Sequence, residues 1–139
     1  MSGIVIDGSV TMAWCFEDES DDYSEATLDY LRSGTAEVPS IWMLDVSNAL
    51  SASERSGGIA QSTSTRFLEL LRSLPIDVQC DTRDKTWNRV MDLGRQFDLS
   101  PYNACYLELA MRRGAELATR DFRLMRAAER AGVPIFGRA

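Results

Sequence analysis

Two aspartates stand where a predicted strand ends and a helix is about to begin. Asp7 follows Ile4-Val5-Ile6, and Asp121 closes the segment at residues 117–120. A run such as Ile4–Ile6 is typical of a strand buried on both faces of a parallel sheet. The carboxyl ends of parallel strands form the edge where α/β proteins bind ligands. Because a capping or turn role explains each aspartate equally well, chemistry depends on other polar groups reaching the same edge.

Two further polar side chains lie among apolar residues of predicted helices. Asp45 shares a helix face with Ile41 and Ala49, each four residues away, and an acid in an apolar stripe is unfavourable unless it is paired or binds metal. A different helix register would instead turn Asp45 towards solvent. Asn103 also shares a face with apolar residues, but it lies three residues after Ser100 and could simply be its capping partner.

Together, Asp7, Asp45, Asn103 and Asp121 predict a metal site. Two follow strands, and two lie on helices that could lean over the same edge of the sheet. Crowded carboxylates repel one another and need a cation to stay ionised. Oxygen ligands without His or Cys favour Mg²⁺ or Mn²⁺, and such an ion at this edge suggests phosphate-ester chemistry.

The composition removes several other kinds of catalysis. The chain has no histidine, which excludes Ser-His-Asp and Cys-His catalysis and histidine-based metal sites. The net charge is −6, and overall acidity argues against tight nonspecific binding to nucleic acid. The charge is uneven, however. Residues 1–69 hold 12 acidic and 3 basic residues, whereas residues 70–139 hold 9 acidic and 12 basic residues. The second half of the chain could therefore still form a local phosphate-binding surface.

The length and the cysteines bear on where the protein works. We expect one domain over residues 1–139, without a secretory signal or a membrane span. The three cysteines are odd in number and unclustered, which favours a reduced protein over a disulfide scaffold or a zinc site. The expected location is therefore the cytoplasm.

Predicted strands and helices alternate along the chain. After the first strand, strands are predicted over residues 36–39, 75–79, 116–119 and 133–136. A short helix capped by Ser9 precedes helices over residues 23–32, 40–56, 60–73, 82–97, 100–113 and 122–131, with Trp87 facing inward. The alternation predicts an α/β fold with a central parallel sheet and helices on both faces.

The chain resembles a PIN domain, specifically the VapC toxins of VapBC toxin–antitoxin pairs. Four segments carry the resemblance, in the family's order and spacing, and together they span most of the chain. They are Ile-Val-Ile-Asp7-Gly-Ser9-Val, Val38-Pro39-Ser40-Ile41-Trp42 through Asp45-Val46-Ser47-Asn48-Ala49-Leu50, Leu99-Ser100-Pro101-Tyr102-Asn103 through Ala110, and Leu117-Ala118-Thr119-Arg120-Asp121. The fold that this resemblance implies is the three-layer PIN fold.

The resemblance also implies a function. It implies an endoribonuclease that depends on Mg²⁺ or Mn²⁺ and cleaves RNA phosphodiester bonds. It further implies a small cognate antitoxin of the VapB type, which inhibits the toxin and binds operator DNA, and a toxin homodimer within the complex. Asp7, Asp45, Asn103 and Asp121 correspond to the family's acidic quartet, and Thr119 to the hydroxyl residue beside the last acid.

Two positions depart from the family pattern. Asp45 stands where the family usually has Glu, and Asn103 where it usually has Asp. An amide offers a metal one neutral oxygen and no charge. Asn103 therefore indicates either a variant made to silence a toxic nuclease or a natural chain with weakened or lost catalysis.

Two other functions compete with the nuclease. The first is a catalytically silent PIN-like module that acts by binding a partner or RNA, which Asn103 favours. The second is a magnesium phosphohydrolase on another α/β fold, but the Asp-x-Asp of haloacid-dehalogenase-like enzymes is absent because Gly8-Ser9 follows Asp7. For the partner, the helices at residues 40–56 and 60–73 are unusually apolar for surface elements and predict an interface.

Overall fold

A four-stranded parallel sheet forms the centre of the protein. The computed structural model describes residues 3–138. The strands are β1 (Ile4–Ile6), β2 (Ala36–Pro39), β3 (Ile76–Gln79) and β4 (Glu116–Ala118), in the order β3-β2-β1-β4. Val5 of β1 pairs with Glu37 on one side and Leu117 on the other. This central position explains why β1 is apolar throughout, since Val5 and Ile6 are wholly buried.

Helices connect the strands and cover the sheet. They are α1 (Gly8–Ala13), α2 (Asp22–Tyr30), α3 (Ile41–Arg55), α4 (Gln61–Ser73), α5 (Met91–Phe97), α6 (Pro101–Arg113) and α7 (Phe122–Arg130). A 3₁₀ turn at Glu17–Glu19 precedes α2, and a π-helical segment at Lys85–Val90 runs directly into α5. The predicted α/β architecture, a parallel sheet between helical layers, is confirmed.

Helix α6 packs on the sheet and carries one of the predicted site residues. It contacts β1, β2 and β4, and Tyr106, Leu107 and Leu109 are at most 1% exposed. Its first turn is fixed by Ser100, whose hydroxyl accepts a hydrogen bond from the Asn103 amide, with Pro101 at the first helical position. The predicted bounds of this helix are confirmed.

Three local predictions were wrong. Asp7, not Ser9, caps α1, because its side chain accepts a hydrogen bond from the Val10 amide. Trp87 is 67% exposed instead of facing inward. The segment at residues 133–136 forms a single bridge, between Leu117 and Ile135, and not a strand.

None of the helices within residues 3–138 is both long and apolar enough to cross a membrane.

The packing of α6 gives a prediction about stability. Leu107→Ala is expected to lower the free energy of unfolding by about 2–5 kcal/mol, because it leaves a cavity in a close-packed core. Leu44→Ala is the matched control: Leu44 is 66% exposed, so its removal should change stability by less than about 0.5 kcal/mol. Urea unfolding of the two variants measures both values, and equal losses would contradict this packing.

Candidate metal centre

All four predicted ligands lie in one cleft at the carboxyl edge of the sheet. The cleft has a volume of about 350 Å³. Asp7 enters it from the end of β1, and Asp121 from the turn between β4 and α7. Asp45 of α3 and Asn103 of α6 complete the set. The other lining residues are Gly8, Ser9, Met12, Phe16, Glu19, Ala49 and Tyr106. The convergence predicted from the sequence is therefore present in the structure.

Asp7 is a buried carboxylate held by hydrogen bonds. Only 3% of the residue is exposed. Its Oδ1 accepts from the Ser9 hydroxyl at 2.7 Å and from the Val10 amide at 3.1 Å. Burial raises the pKa of Asp7, and the nearby Asp121 carboxylate adds to the increase, while hydrogen bonds from Thr119, Ser9 and Val10 oppose it. The position therefore disfavours an isolated negative charge, and a bound cation would offset that penalty.

Thr119 links the two aspartates that follow strands. It is fully buried. Its hydroxyl donates a short hydrogen bond to Oδ2 of Asp7 and accepts one from the Asp121 amide at 2.9 Å. Since one hydroxyl serves both residues, Thr119 sets the position of the Asp7 carboxylate relative to the start of α7.

Asp121 combines a capping role with a place in the cleft. Its Oδ1 accepts a hydrogen bond from the Leu124 amide at 3.0 Å and so caps α7. The preceding residue, Arg120, donates its backbone N–H to the Ser9 hydroxyl at 2.9 Å. Ser9 thus joins α1 to this turn while also donating to Asp7. The capping explanation of Asp121 is correct, and it does not remove the residue from the cleft.

Asp45 is half-buried and has a specific partner. Its Oδ2 accepts a hydrogen bond from the Tyr106 hydroxyl at 2.6 Å. Burial raises the pKa of Asp45, and this hydrogen bond opposes the increase. A second contact fixes α3: Trp42 donates its indole N–H to the Thr11 hydroxyl at 2.9 Å, which donates to the Asp7 carbonyl at 2.7 Å. The solvent-facing alternative for Asp45 is therefore wrong.

Asn103 lies at the mouth of the same cleft. Its backbone amide is the capping partner of Ser100, which was one of the two roles expected from the sequence. Its half-buried side chain also lines the cleft with Asp45 and lines the neighbouring depression along α3. Both explanations therefore hold at once, for different atoms of the residue.

Sequence reasoning missed three polar residues of the cleft. Tyr106 lies one turn after Asn103 on the same face of α6, so helical spacing could have identified it. Ser9 was assigned to capping, whereas its hydroxyl orients Asp7. Glu19 lines the cleft from the 3₁₀ turn, where it lies 3.8 Å from the Arg120 guanidinium. No spacing rule pointed to Glu19, because the loop brings it back to the sheet edge.

The donor set fits a hard divalent cation. It consists of carboxylate and amide oxygens, which suit Mg²⁺ and Mn²⁺. Within residues 3–138, no three Asp, Glu, Cys or His side chains already form a closed coordination group. Mg²⁺ usually keeps several waters and takes one or two protein carboxylates, so it does not need a closed cage. Asp7 and Asp121 both line the cleft, and their carboxylates are close enough for Asp121 to raise the pKa of Asp7.

The Tyr106–Asp45 hydrogen bond leads to a prediction about metal affinity. Tyr106→Phe removes the hydroxyl that orients the Asp45 carboxylate and keeps the ring in the core. Changes at groups that orient metal ligands typically weaken affinity about 10- to 100-fold, and we expect a loss of that size for Mn²⁺. Calorimetric titration measures it, with Tyr102→Phe as the control because Tyr102 is 61% exposed. Equal Mn²⁺ affinities of the parent and Tyr106→Phe would show that Tyr106 does not contribute to metal binding through Asp45.

Comparisons with known proteins agree with this fold. The family model of the PIN domain matches residues 4–130. PAE2754 from Pyrobaculum aerophilum has 20% identity and a TM-score of 0.71, covering 91% of this chain and 84% of its own. VapBC2 from Rickettsia felis, solved with promoter DNA, has 12% identity and a TM-score of 0.69, covering 95% and 96%. VapC20 of Mycobacterium tuberculosis, a toxin that cleaves the sarcin-ricin loop, has 14% identity and a TM-score of 0.64, covering 89% and 94%.

The structural similarities, all at low identity, describe the fold. No curated protein matches the chain by sequence. The family assignment rests on the PIN-domain match, which spans all four strands and all seven helices. The chain therefore belongs to the PIN-domain family.

Proposed function

We propose that this protein is a VapC-type toxin, an endoribonuclease that depends on Mg²⁺ or Mn²⁺ and is neutralised by a cognate antitoxin. The observation that carries the proposal is the shared cleft of Asp7, Asp45, Asn103 and Asp121. It rests also on membership of the PIN-domain family and on the folds of the toxin structures. The proposal treats residues 1–139 as a single domain that acts on RNA in the cytoplasm.

Each residue of the cleft has a distinct part in this proposal. Asp7 and Asp121 would supply the negative charge that holds the cation, and Asp45 and Asn103 would supply further oxygens. When bound, the cation would activate a water molecule and would stabilise the negative charge that develops on the phosphate. Thr119 keeps Asp7 and the start of α7 in register, and Tyr106 orients Asp45.

Asn103 lowers the charge of the proposed site. With an amide there, three carboxylates of the quartet remain beside Glu19 at the cleft wall, so metal affinity and catalysis should be lower than with an aspartate at this position. This residue is also the reason to retain a second candidate, a silent PIN-like module that binds a partner or RNA without cleaving it. The PIN fold removes the haloacid-dehalogenase-like alternative.

The proposed antitoxin has a surface to bind. Met43 and Leu44 of α3 are 50% and 66% exposed, and Tyr102 at the start of α6 is 61% exposed. These residues line two adjoining depressions of about 730 and 440 Å³ beside the metal cleft. Exposed apolar surface of this kind usually marks an interface. The proposal includes a toxin homodimer within the complex.

Co-expression tests the proposed partnership. A tagged copy of the chain, expressed with the small protein encoded beside it, should co-purify as a stable complex. Leu44→Asp should weaken the complex, because it places a charge in an apolar interface. Asp92→Lys, on the exposed face of α5, is the control. A parent chain that purifies alone and monodisperse, although the small protein is expressed with it, would contradict the proposal of an antitoxin-bound toxin.

RNA cleavage tests the proposed activity. Single-stranded RNA incubated with the purified chain and Mn²⁺ should be cut slowly, and EDTA should stop the cutting. Asp121→Asn should remove the residual cleavage, because it removes a second full charge from the cleft. Cleavage that persists in EDTA, or in Asp121→Asn, would contradict the metal-dependent mechanism.

A further inference from the structure

A second pocket adjoins the metal cleft behind the turn between β4 and α7. Its volume is about 500 Å³. The two cavities share a wall, because Thr119 lines this pocket while its hydroxyl contacts Asp7 in the cleft. The remaining lining residues are Asp21, Tyr23, Arg120, Phe122, Met125, Ile135, Gly137 and Arg138. A ligand in the cleft would reach this pocket over the turn, since Asp121 lines the cleft and its neighbours Arg120 and Phe122 line the pocket.

Phe122 gives the pocket an exposed aromatic ring. It is the residue immediately after Asp121, and it is 73% exposed, the largest value among the exposed apolar side chains of the described residues. The ring stands on the first turn of α7, beside the proposed metal centre. Met125 and Ile135 continue the apolar lining behind it. Proteins that bind single-stranded nucleic acid stack bases on aromatic rings in such positions.

Two arginines give the pocket a positive rim. Arg120 pairs with Asp21 at 3.0 Å, and Arg138 pairs with Glu129 at 2.9 Å. These are solvent-accessible ion pairs, which contribute little to stability, so a phosphate can replace or join the carboxylate at small cost. Three more arginines, Arg123, Arg126 and Arg130, follow on α7. The pocket itself therefore has two arginines and one carboxylate, Asp21, among its lining residues.

We propose that this pocket is a nucleobase subsite for single-stranded RNA. A base next to the scissile phosphate stacks on Phe122, and Arg120 and Arg138 lie against the neighbouring phosphates. This inference rests on the proposed nuclease function, since it places the reacting phosphate in the cleft of Asp7 and Asp121.

The opposite side of the cleft provides an internal comparison. Tyr102 is also an exposed aromatic residue beside a site residue, since it precedes Asn103. The depressions that it lines contain two charged side chains, Asp45 and Asp81, and both are acidic. The Phe122 pocket instead has two arginines beside one lining carboxylate, Asp21, so an RNA backbone should be repelled less there. Tyr102 is therefore the matched control for Phe122.

Equilibrium binding tests the subsite without requiring turnover. The probe is a fluorescein-labelled single-stranded oligoribonucleotide of about ten nucleotides, a length within the usual site size of such proteins. Its anisotropy is measured with the full chain in Mn²⁺, and a gel confirms that the RNA remains intact. Phe122→Ala should raise the Kd about 5- to 140-fold, the range that loss of one base–aromatic stack produces. Phe122→Trp and Tyr102→Ala should keep the Kd of the parent.

The outcomes separate the subsite from the nuclease function. If the parent binds RNA and Phe122→Ala binds equally well, the subsite is overturned and the nuclease proposal stands. Equal weakening by Tyr102→Ala would also overturn it, because the effect would then not belong to this pocket. If Phe122→Ala keeps RNA binding but loses the co-purified protein partner, the pocket is a protein-docking site. No RNA binding by the parent would overturn both proposals.

Discussion

Asn103→Asp is expected to convert this chain into a more active ribonuclease. The Asn103 side chain lines the same cleft as Asp7, Asp45 and Asp121, but its amide carries no charge. At a few ångströms and an effective dielectric near 20, one added charge is worth on the order of a few kcal/mol to a nearby cation. Repulsion from the other carboxylates offsets part of this gain. The net effect should still tighten Mn²⁺ binding by about tenfold or more.

Two assays measure the consequence of this substitution. In vitro, Asn103→Asp should cleave single-stranded RNA faster than the parent in Mg²⁺ or Mn²⁺, and EDTA should abolish the difference. In cells without antitoxin, the aspartate variant should arrest growth, whereas the parent should be tolerated. Asn48→Asp is a control, because it adds the same charge on α3 in the adjoining depression and outside the metal cleft.

Two results would count against this explanation. A parent that already cleaves as fast as Asn103→Asp would show that the amide does not limit the site. If neither form cleaves any RNA tested, the silent binding module becomes the better proposal for the function of this protein. A panel of structured and unstructured RNAs is needed for that conclusion, since VapC20, which has a similar fold, is a toxin that cleaves the sarcin-ricin loop.

The parts of the site that the sequence predicted are those with a local signal. Asp7 directly follows β1, and Asp121 lies three residues after the end of β4, so the position of each strand places its aspartate at the carboxyl edge of the sheet. Asn103 is placed by the Ser100-Pro101 start of α6, whose cap is formed as predicted. For these residues, a short segment of sequence determines the local structure, and that structure places the residue at the edge of the sheet.

The parts that the sequence did not predict depend on distant contacts or on a change of helical period. The Asp45–Tyr106 hydrogen bond joins residues 61 positions apart, and no local pattern specifies it. Trp87 was assigned to a buried face with α-helical spacing, but residues 85–90 form a π-helical segment with more residues per turn. The wider turn shifts the phase of the helix, so Val90 and Leu93 face the core and Trp87 faces solvent.

Asp7→Ala is expected to abolish Mn²⁺ binding, and this is the second large effect. Asp7 is the most buried carboxylate of the cleft, and its side chain is fixed by Ser9, Val10 and Thr119. Such a preorganised anion, beside Asp121, is the strongest electrostatic attraction for a dication in the site. The substitution also removes the cap of α1, which typically costs about 1 kcal/mol, so the variant should remain folded.

Calorimetric titration of Mn²⁺ into the parent, Asp7→Ala and the control Asp92→Ala tests the central claim that this cleft is a metal centre. Asp92 is an exposed acid on α5, so its removal changes the net charge equally without touching the cleft. We expect Mn²⁺ to bind the parent and Asp92→Ala with the same affinity, and to show no binding to a folded Asp7→Ala. If folded Asp7→Ala binds Mn²⁺ as the parent does, the convergence of these four residues is not a metal site.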